Sequence, residues 1–373
     1  MRHWIITHHI SVLLDIKKAF DCVDHSILLR KLHCYGIRGV PLEWFQSYLT
    51  DRQCYLEIDK FKSNLNTFNV GVPQGSILGP ILFLIYVNNL PQSNSLETQL
   101  FADDTIVSNS DSNLNQLKAA TNNELLKVFN WTVTNKLSLN TSKTELLLVS
   151  NKRENFDNAN ITLHNEVINP CNSCKYLGVH FDKNMTFGVH IDDVLNKISR
   201  HTGILFKIRN NLPAKARLDY YYAFIYPYLS YNVIFWGATY QSYLNPLIIQ
   251  HKRTIRTIAD AGFREHTEPL FFKLGLLKLH DIYKFYLLIY MHKAISRGEY
   301  AVEHNVVTRN RDMAVAVYHR LTLTRHAVSH TGPTEWNKLP ISIRSIEKKN
   351  LFKKALKVHL LNQYNNEPPL QNE

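Results

Sequence analysis

The stretch that most constrains this chain is residues 100–107, where apolar residues lead into two adjacent aspartates and β-branched residues follow. This pattern predicts a tight β-hairpin with Asp103 and Asp104 at its tip, since Asp tolerates turn geometry. Two neighbouring carboxylates repel, and each raises the pKa of the other unless a cation lies between them. Because Mg²⁺ prefers oxygen ligands, the hairpin tip is typical of one half of a magnesium site.

A second Asp-Asp pair shows that the first pair is a weak signal when taken alone. Asp192 and Asp193 are followed by apolar residues at positions 194, 195 and 198, which predicts the first turn of an amphipathic helix. Such pairs are more often part of a solvated face than of a metal site. The assignment of Asp103 and Asp104 therefore depends on what the rest of the chain supplies.

A strand-like run over residues 10–16 supplies a third carboxylate near its end. Asp15 at the end of this strand can point into the same cleft as the predicted hairpin tip. Asp21 and Asp24 are expected to cap and charge a helix over residues 26–35 that ends at Gly36.

Residues 71–80, with the sequence GVPQGSILGP, predict the start of a helix that runs to about residue 90. Pro80 suits a first helical turn, and the glycines allow backbone to approach a flat ligand or another chain closely. Residues 81–87 are apolar all round, so we expect this helix to be buried on most sides. A plain core helix explains most of the pattern, but not Gln74 beside Gly75.

The elements that follow complete a fold-class prediction. Apolar spacing predicts a helix over residues 114–131, and a turn over residues 140–143 leads into a strand over residues 145–149. Strands that form an antiparallel sheet with helices on one face predict an α+β fold, and the second half of the chain is predicted to be helical.

The net charge of +12 over 373 residues lies entirely in the second part of the chain. Residues 1–150 carry 13 Lys or Arg and 13 Asp or Glu, whereas residues 151–373 carry 30 and 18. This asymmetry indicates a polyanion partner, with a generic basic surface as the alternative. The candidate phosphate contacts lie on two predicted helices and are Lys197, Arg200, Lys207, Lys252, Arg253 and Arg256.

Nine aromatic residues lie between positions 220 and 236. We expect most of these rings to pack in the core, with a base-stacking platform as the alternative. The five cysteines are irregularly spaced, which favours a reducing compartment, and the longest apolar run, residues 81–87, is far below the ~20 residues of a membrane span. We therefore expect a soluble intracellular protein with no membrane contact.

Four segments in order resemble the palm motifs of reverse transcriptases: residues 14–21 (LDIKKAFD), 72–80 (VPQGSILGP), 101–104 (FADD) and 139–144 (LNTSKT). The amino-acid sequences of these segments are similar to those of non-LTR (LINE-type) retrotransposons, particularly the jockey-like branch. Residues 176–179 (YLGV) resemble the hairpin that grips the primer end, and residues 332–340 (GPTEWNKLP) resemble the C-terminal part of such elements.

The resemblance implies an RNA-directed DNA polymerase that transfers dNTPs to a primer 3′-hydroxyl, with an RNA template and a DNA primer as partners. Asp15 and Asp103 would hold two Mg²⁺ ions, with Mn²⁺ as an alternative, beside Asp104 and the Ile16 carbonyl. Phe20 would be a steric gate against a 2′-hydroxyl, with a core phenylalanine as the competing interpretation. The remaining implied positions are Gln74 and Gly75 at the nucleotide, Lys143 as a general acid near pyrophosphate or a solvated lysine, and Tyr176, Leu177 and Gly178 as the primer grip.

The resemblance also implies a domain organisation. Residues 1–150 would be the palm with most of the fingers missing, 151–190 a primer-grip-like hairpin and connection, 191–300 a helical thumb-like region, and 301–373 an extension without an assigned role. Only 14 residues precede Asp15, with Arg2 as their single Lys or Arg, so an N-terminally truncated polymerase is expected. The alternative function is a truncated, inactive copy that only binds template–primer or RNA, or a genomic relic.

Overall fold

The computed structural model describes residues 8–152, 159–299, 314 and 327–365. The chain divides into two compact units, Met1–Asn184 and Met185–Glu373, here called the first and second units. Arg2 and most of residues 301–326 lie outside the described residues. No helix within the described ranges combines the length and the hydrophobicity that a membrane span requires.

The first unit contains twelve short strands and four α-helices among its described residues. The strands are β1 His8–Leu14, β2 Arg52–Cys54, β3 Glu57–Ile58, β4 Phe61–Lys62, β5 Asn66–Phe68, β6 Glu97–Phe101, β7 Asp104–Asp111, β8 Glu145–Ser150, β9 Ile161–Leu163, β10 Glu166–Ile168, β11 Ser173–Tyr176 and β12 Val179–Asp182. The helices are α1 His25–Cys34, α2 Val40–Leu49, α3 Leu78–Val87 and α4 Leu114–Thr134.

Four of these strands form the antiparallel sheet that positions the site. Their order is β6-β7-β1-β8, so β1 is central and pairs with β7 on one side and β8 on the other. Ile10, Val12 and Leu14 alternate along β1 and are almost completely buried, and helix α4 packs against β7 and β1. The predicted α+β class, with helices backing an antiparallel sheet, is confirmed.

Of the two aspartates expected to cap helix α1, Asp24 does so and Asp21 does not. The carboxylate of Asp24 accepts a hydrogen bond from the Ile27 amide at 2.9 Å, as its N-cap position requires. Asp21 lies in a 3₁₀ turn, Ala19–Cys22, and its carboxylate accepts a hydrogen bond from Gln74 at 2.8 Å. The expectation that Asp21 caps α1 is therefore wrong, because the extra turn carries it away from the helix start.

Helix α3 is less buried than its sequence indicates. Leu82, Phe83 and Tyr86 are buried, as expected for a helix that is apolar all round. Ile81 and Leu84 are 49% and 46% exposed, so the expectation of burial on most sides fails for this face. The periodicity of a uniformly apolar helix carries no information about which side stays open.

The described part of the second unit contains helices joined by turns and loops, and no strands. Its helices are α5 Gly188–Ile208, α6 Ala214–Phe224, α7 Tyr226–Ser230, α8 Val233–Trp236, α9 Gln241–Ala259, α10 Glu268–Leu274, α11 Leu279–Ser296, α12 Val328–Asn337, α13 Ile341–Arg344 and α14 Lys349–Asn362. Helices α5 and α9 pack along each other and bury Ile198 and Ile255 completely, and the hydroxyls of Thr202 and Thr254 lie 2.7 Å apart inside this interface.

Candidate active site

The end of β1 and the β6-β7 hairpin bring three carboxylates within electrostatic range of one another. Leu14 pairs with Thr105 in the β1-β7 register, so Asp15 follows β1 beside Asp104 at the start of β7. The turn between β6 and β7 is tight, since Phe101 pairs with Asp104 and Ala102 has a φ of 52°. Asp15 and Asp103 line the same cleft, which has a volume of about 720 Å³.

The charges of these carboxylates act on one another. Partial burial raises the pKa of Asp104 above its ordinary value, and the negative charges of Asp103 and Asp15 raise it further. None of the ion pairs formed within the described residues involves these three aspartates. The three carboxylates therefore concentrate negative charge at the hairpin tip, and a cation there would relieve it.

The donor set fits a magnesium ion whose shell is completed by the substrate. Within the described residues, no three carboxylate, imidazole or thiol groups lie close enough to form a ready-made metal cluster. Mg²⁺ in nucleotide-handling sites is held by one or two carboxylates together with water and substrate phosphates, so two cleft carboxylates suffice.

A backbone carbonyl adds to this donor set. Beyond β1, the Asp15 carbonyl accepts a hydrogen bond from the Asn140 amide at 2.8 Å, and the Lys17 amide donates to the Ser138 carbonyl at 2.8 Å. Backbone groups alternate sides along an extended strand, so the Ile16 carbonyl points away from residues 138–140 and towards the β7 side. That is the side of the hairpin tip.

The backbone of the segment that contains Gln74 is hydrogen-bonded to the backbone of the turn that contains Phe20. The Val72 amide donates to the Phe20 carbonyl at 2.9 Å, and the Gln74 side-chain amide donates to Asp21. Both Phe20 and Gln74 line the cleft, while the Phe20 ring also packs on Phe83 with centroids 4.6 Å apart. Gly75 has a φ of 81° with open space around it, so its backbone is accessible to a ligand.

Three lysines line the cleft, and sequence reasoning identified only one of them. Lys143 ends a 3₁₀ turn and lies on the cleft, as does Lys17 directly after the Asp15–Ile16 step. Lys18 adopts a left-handed conformation, with φ 46° and ψ 47°, and also lines the cleft. The sequence signal was the Lys-Lys pair two residues after Asp15, but nothing in the pattern revealed the left-handed turn that keeps both lysines at the cleft.

The hairpin over residues 173–182 lies close to the carboxylates. It consists of β11 and β12, with Leu177 and Gly178 both at positive φ in the two-residue turn, and β11 packs beside β8. Partial burial raises the pKa of the Tyr176 phenol, and the nearby charge of Asp104 adds to the rise. The structure thus places Tyr176 within electrostatic range of the hairpin tip.

The six predicted phosphate contacts of the second unit differ in how available they are. Arg200 and Lys207 on α5 and Lys252 and Arg253 on α9 are exposed. Lys197 forms an ion pair with Asp193 at 2.7 Å, and Arg256 is half-buried and donates to the Glu265 carbonyl at 2.8 Å. The charges of Lys197 and Arg256 are therefore partly engaged within the protein.

Residues 5–181 match the family model described as "Reverse transcriptase (RNA-dependent DNA polymerase)". The chain is 27% identical over 290 residues to the RNA-directed DNA polymerase from mobile element jockey of Drosophila melanogaster, covering 73% of this chain and 31% of that protein. It is 27% identical over 285 residues to the probable RNA-directed DNA polymerase from transposon X-element of the same species, covering 73% of this chain and 30% of that protein. The chain thus spans about a third of the length of these curated relatives.

Two solved telomerase structures share weak similarity with the chain. The telomerase of Candida albicans, in complex with a fragment of telomeric RNA, aligns at 12% identity with a TM-score of 0.36, covering 74% of this chain and 49% of that one. The apo telomerase of Candida tropicalis aligns at 12% identity with a TM-score of 0.38, covering 82% and 52%.

Proposed function

We propose, from the match of residues 5–181 to the reverse transcriptase family model, that this chain carries the RNA-directed DNA polymerase activity of a non-LTR retrotransposon. The observation that carries the proposal is the convergence of Asp15 and Asp103 on one cleft, with Asp104 close enough for its pKa to respond to both. Relatives named as RNA-directed DNA polymerases from mobile elements support it.

The cofactor of the proposed activity is Mg²⁺, with Mn²⁺ as an alternative. Reverse transcriptases generally use divalent metal ions. Asp15, Asp103, Asp104 and the Ile16 carbonyl would hold a pair of them here. Such ions stabilise the charge that develops on the attacking 3′-oxygen and on the leaving pyrophosphate.

The residues of the chain itself perform the remaining tasks. Lys17 and Lys18 place positive charge at the cleft, where they neutralise a triphosphate. Lys143, which lines the cleft, donates a proton to the leaving pyrophosphate. Gln74 and Gly75 delimit the space for the incoming nucleotide. The Gln74 side chain is held by Asp21, and the Gly75 backbone is open to a ligand. Tyr176, Leu177 and Gly178 form the turn that holds the primer end.

A primer-extension assay tests the proposal. The purified chain is incubated with poly(rA)·oligo(dT), labelled dTTP and Mg²⁺, and incorporation is expected to appear and to cease when EDTA removes the metal. The absence of incorporation with either Mg²⁺ or Mn²⁺, from protein that still binds the template–primer, would favour the inactive nucleic-acid-binding copy instead.

Replacing Phe20 by Val is expected to relax discrimination against ribonucleotides. Phe20 lines the cleft, and a smaller side chain would leave space for a 2′-hydroxyl. Single steric contacts of this kind discriminate by roughly 10- to 200-fold. The measurement is the ratio of kcat/KM for dTTP to that for UTP, and the expected change is a fall of at least about tenfold.

The contact between Phe20 and Phe83 makes a control necessary. Because the two rings are in contact, Phe20→Val also removes core packing. Phe83→Leu weakens the same contact from the buried side without altering the cleft wall, so its nucleotide selectivity should match the wild type. An unchanged selectivity ratio in Phe20→Val would return Phe20 to the interpretation as a core residue.

Replacing Lys252, Arg253 and Arg256 together by Ala is expected to weaken template–primer binding and its salt dependence. Removal of one phosphate-binding side chain lowers the slope of log affinity against log salt by about one unit. Because Arg256 is engaged with Glu265, we expect the double variant of Lys252 and Arg253 to account for most of the effect. A slope in the triple variant equal to that of the wild type would exclude α9 as the phosphate-binding element.

A further inference from the structure

A cluster of four rings joins helices α5, α6 and α7 of the second unit: His201, Tyr220, Phe224 and Tyr228, here called the ring cluster. The His201 ring is stacked against Phe224, with centroids 5.6 Å apart and planes at 20°, and against Tyr228, at 5.9 Å and 27°. Tyr220 packs on Phe224 at 4.8 Å, and its hydroxyl lies 3.1 Å from His201 Nδ1. The rings are thus fixed relative to one another.

The exposure of the nine aromatic residues between positions 220 and 236 contradicts the expectation that most of their rings pack in the core. Tyr221 and Trp236 are fully buried, as predicted. Four of the nine aromatic residues are instead exposed by 40% or more: Tyr222, Phe224, Tyr231 and Phe235. Phe224 is the exposed member of the ring cluster, and the three other rings are partly exposed.

Positive charge borders the ring cluster. Lys197 Nζ lies 5.5 Å from the centroid of Tyr228, and one helical turn further along α5 the exposed Arg200 directly precedes His201. Ile204, one helical turn further along, is 48% exposed and extends the apolar part of the stripe. Residues 188–260 contain nine Lys or Arg against four Asp and no Glu, so this part of the unit attracts a polyanion.

We propose that the ring cluster is a stacking surface for the unpaired bases of a single-stranded nucleic acid. Proteins that bind single strands without reading sequence combine exposed rings, on which bases stack, with a basic groove that follows the backbone. The ring cluster supplies the rings, and the exposed Arg200 supplies positive charge near them, to which Lys197, paired with Asp193, adds less. The proposal deepens the proposed function, on which it rests for its partner, since the single-stranded template is the class of ligand it names.

Fluorescence anisotropy with a labelled oligo(U) 20-mer at several KCl concentrations tests the surface. Phe224→Leu keeps an apolar side chain but removes the ring, and we expect binding to weaken roughly tenfold with an unchanged salt slope. Phe224→Tyr keeps a ring and should bind within about twofold of the wild type. Arg200→Ala should instead lower the salt slope by about one unit.

Two controls separate stacking from other causes. Phe263→Leu changes a ring that is 77% exposed and lies outside the ring cluster, so its affinity should equal that of the wild type. An oligomer of abasic sites offers phosphates without bases; the wild type should bind it about tenfold more weakly than oligo(U), and Phe224→Leu should weaken it no further.

The proposal is overturned if the wild type binds the abasic oligomer as tightly as oligo(U), or if Phe224→Leu binds oligo(U) normally. In the latter case the exposed ring is left as a contact for a protein partner. Asp103→Asn distinguishes this failure from failure of the proposed function, because oligo(U) binding needs no metal site and should persist when incorporation is abolished.

Discussion

Asp103→Asn is expected to abolish nucleotide incorporation while leaving template–primer binding intact. Asp103 lies at the turn of the β6-β7 hairpin and faces the same cleft as Asp15. The amide keeps the size of the side chain but removes the charge that, in the proposed activity, would hold a cation. A bound metal contributes several kcal/mol to the transition state, and each 1.36 kcal/mol is tenfold in rate, so a fall in kcat of about 10³-fold is expected.

The second Asp-Asp pair provides the matched control. Asp192 is exposed near the start of α5, one turn after Gly188, so Asp192→Asn removes one negative charge of the same kind from the same chain. Incorporation on poly(rA)·oligo(dT) by Asp192→Asn should stay within about twofold of the wild type. Equal incorporation rates for Asp103→Asn and the wild type, at saturating Mg²⁺, would show that the carboxylate pair takes no part in the reaction.

Local patterns predicted the framework of this site correctly because the constraints on it are local. Residues 100–107 form the expected hairpin, since the turn and the alternation on either side specify pairing within a few residues. The hairpin at Tyr176 and the cap at Asp24 follow for the same reason. The matches with mobile-element polymerases confirm the resemblance that the four ordered motifs indicated.

What the sequence did not reveal depends on contacts between distant segments. Asp21 looked like a helix cap, but it binds Gln74, 53 positions away. Lys18 adopts a left-handed conformation that no side-chain pattern requires. The exposure of Phe224 and of Ile81 is decided by which neighbouring helices are present, and burial statistics describe an average over many proteins rather than this arrangement.

Gly71→Ala is expected to destabilise the first unit strongly. Gly71 has a φ of +83°, and a Cβ there would lie 2.8 Å from the Asp21 carbonyl oxygen and 2.9 Å from its Cα. Both of these atoms are backbone, so neither can rotate away. A left-handed conformation costs an L-residue about 1–2 kcal/mol, and overpacking adds about 1–3 kcal/mol, so the free energy of unfolding should fall by roughly 2–5 kcal/mol.

Gly36→Ala separates these two contributions. Gly36 has a nearly identical φ of +91°, but nothing lies within 4 Å of a Cβ built there, so only the conformational cost applies. Urea unfolding followed by circular dichroism should show a decrease of about 1–2 kcal/mol in Gly36→Ala, smaller than that in Gly71→Ala. Equal decreases in the free energy of unfolding would mean that the contact of the added Cβ with the Asp21 backbone costs no stability.

The same pair of variants tests whether this close approach positions the cleft. The Gly71 amide donates to the Val23 carbonyl at 2.7 Å, and the Val72 amide donates to the Phe20 carbonyl, so a shift of this segment moves Phe20 and Gln74 together. Under conditions where both variants remain folded, Gly71→Ala should raise the KM for dTTP several-fold, whereas Gly36→Ala should leave it unchanged. An unaltered KM in folded Gly71→Ala would show that Phe20 and Gln74 do not depend on this contact for nucleotide binding.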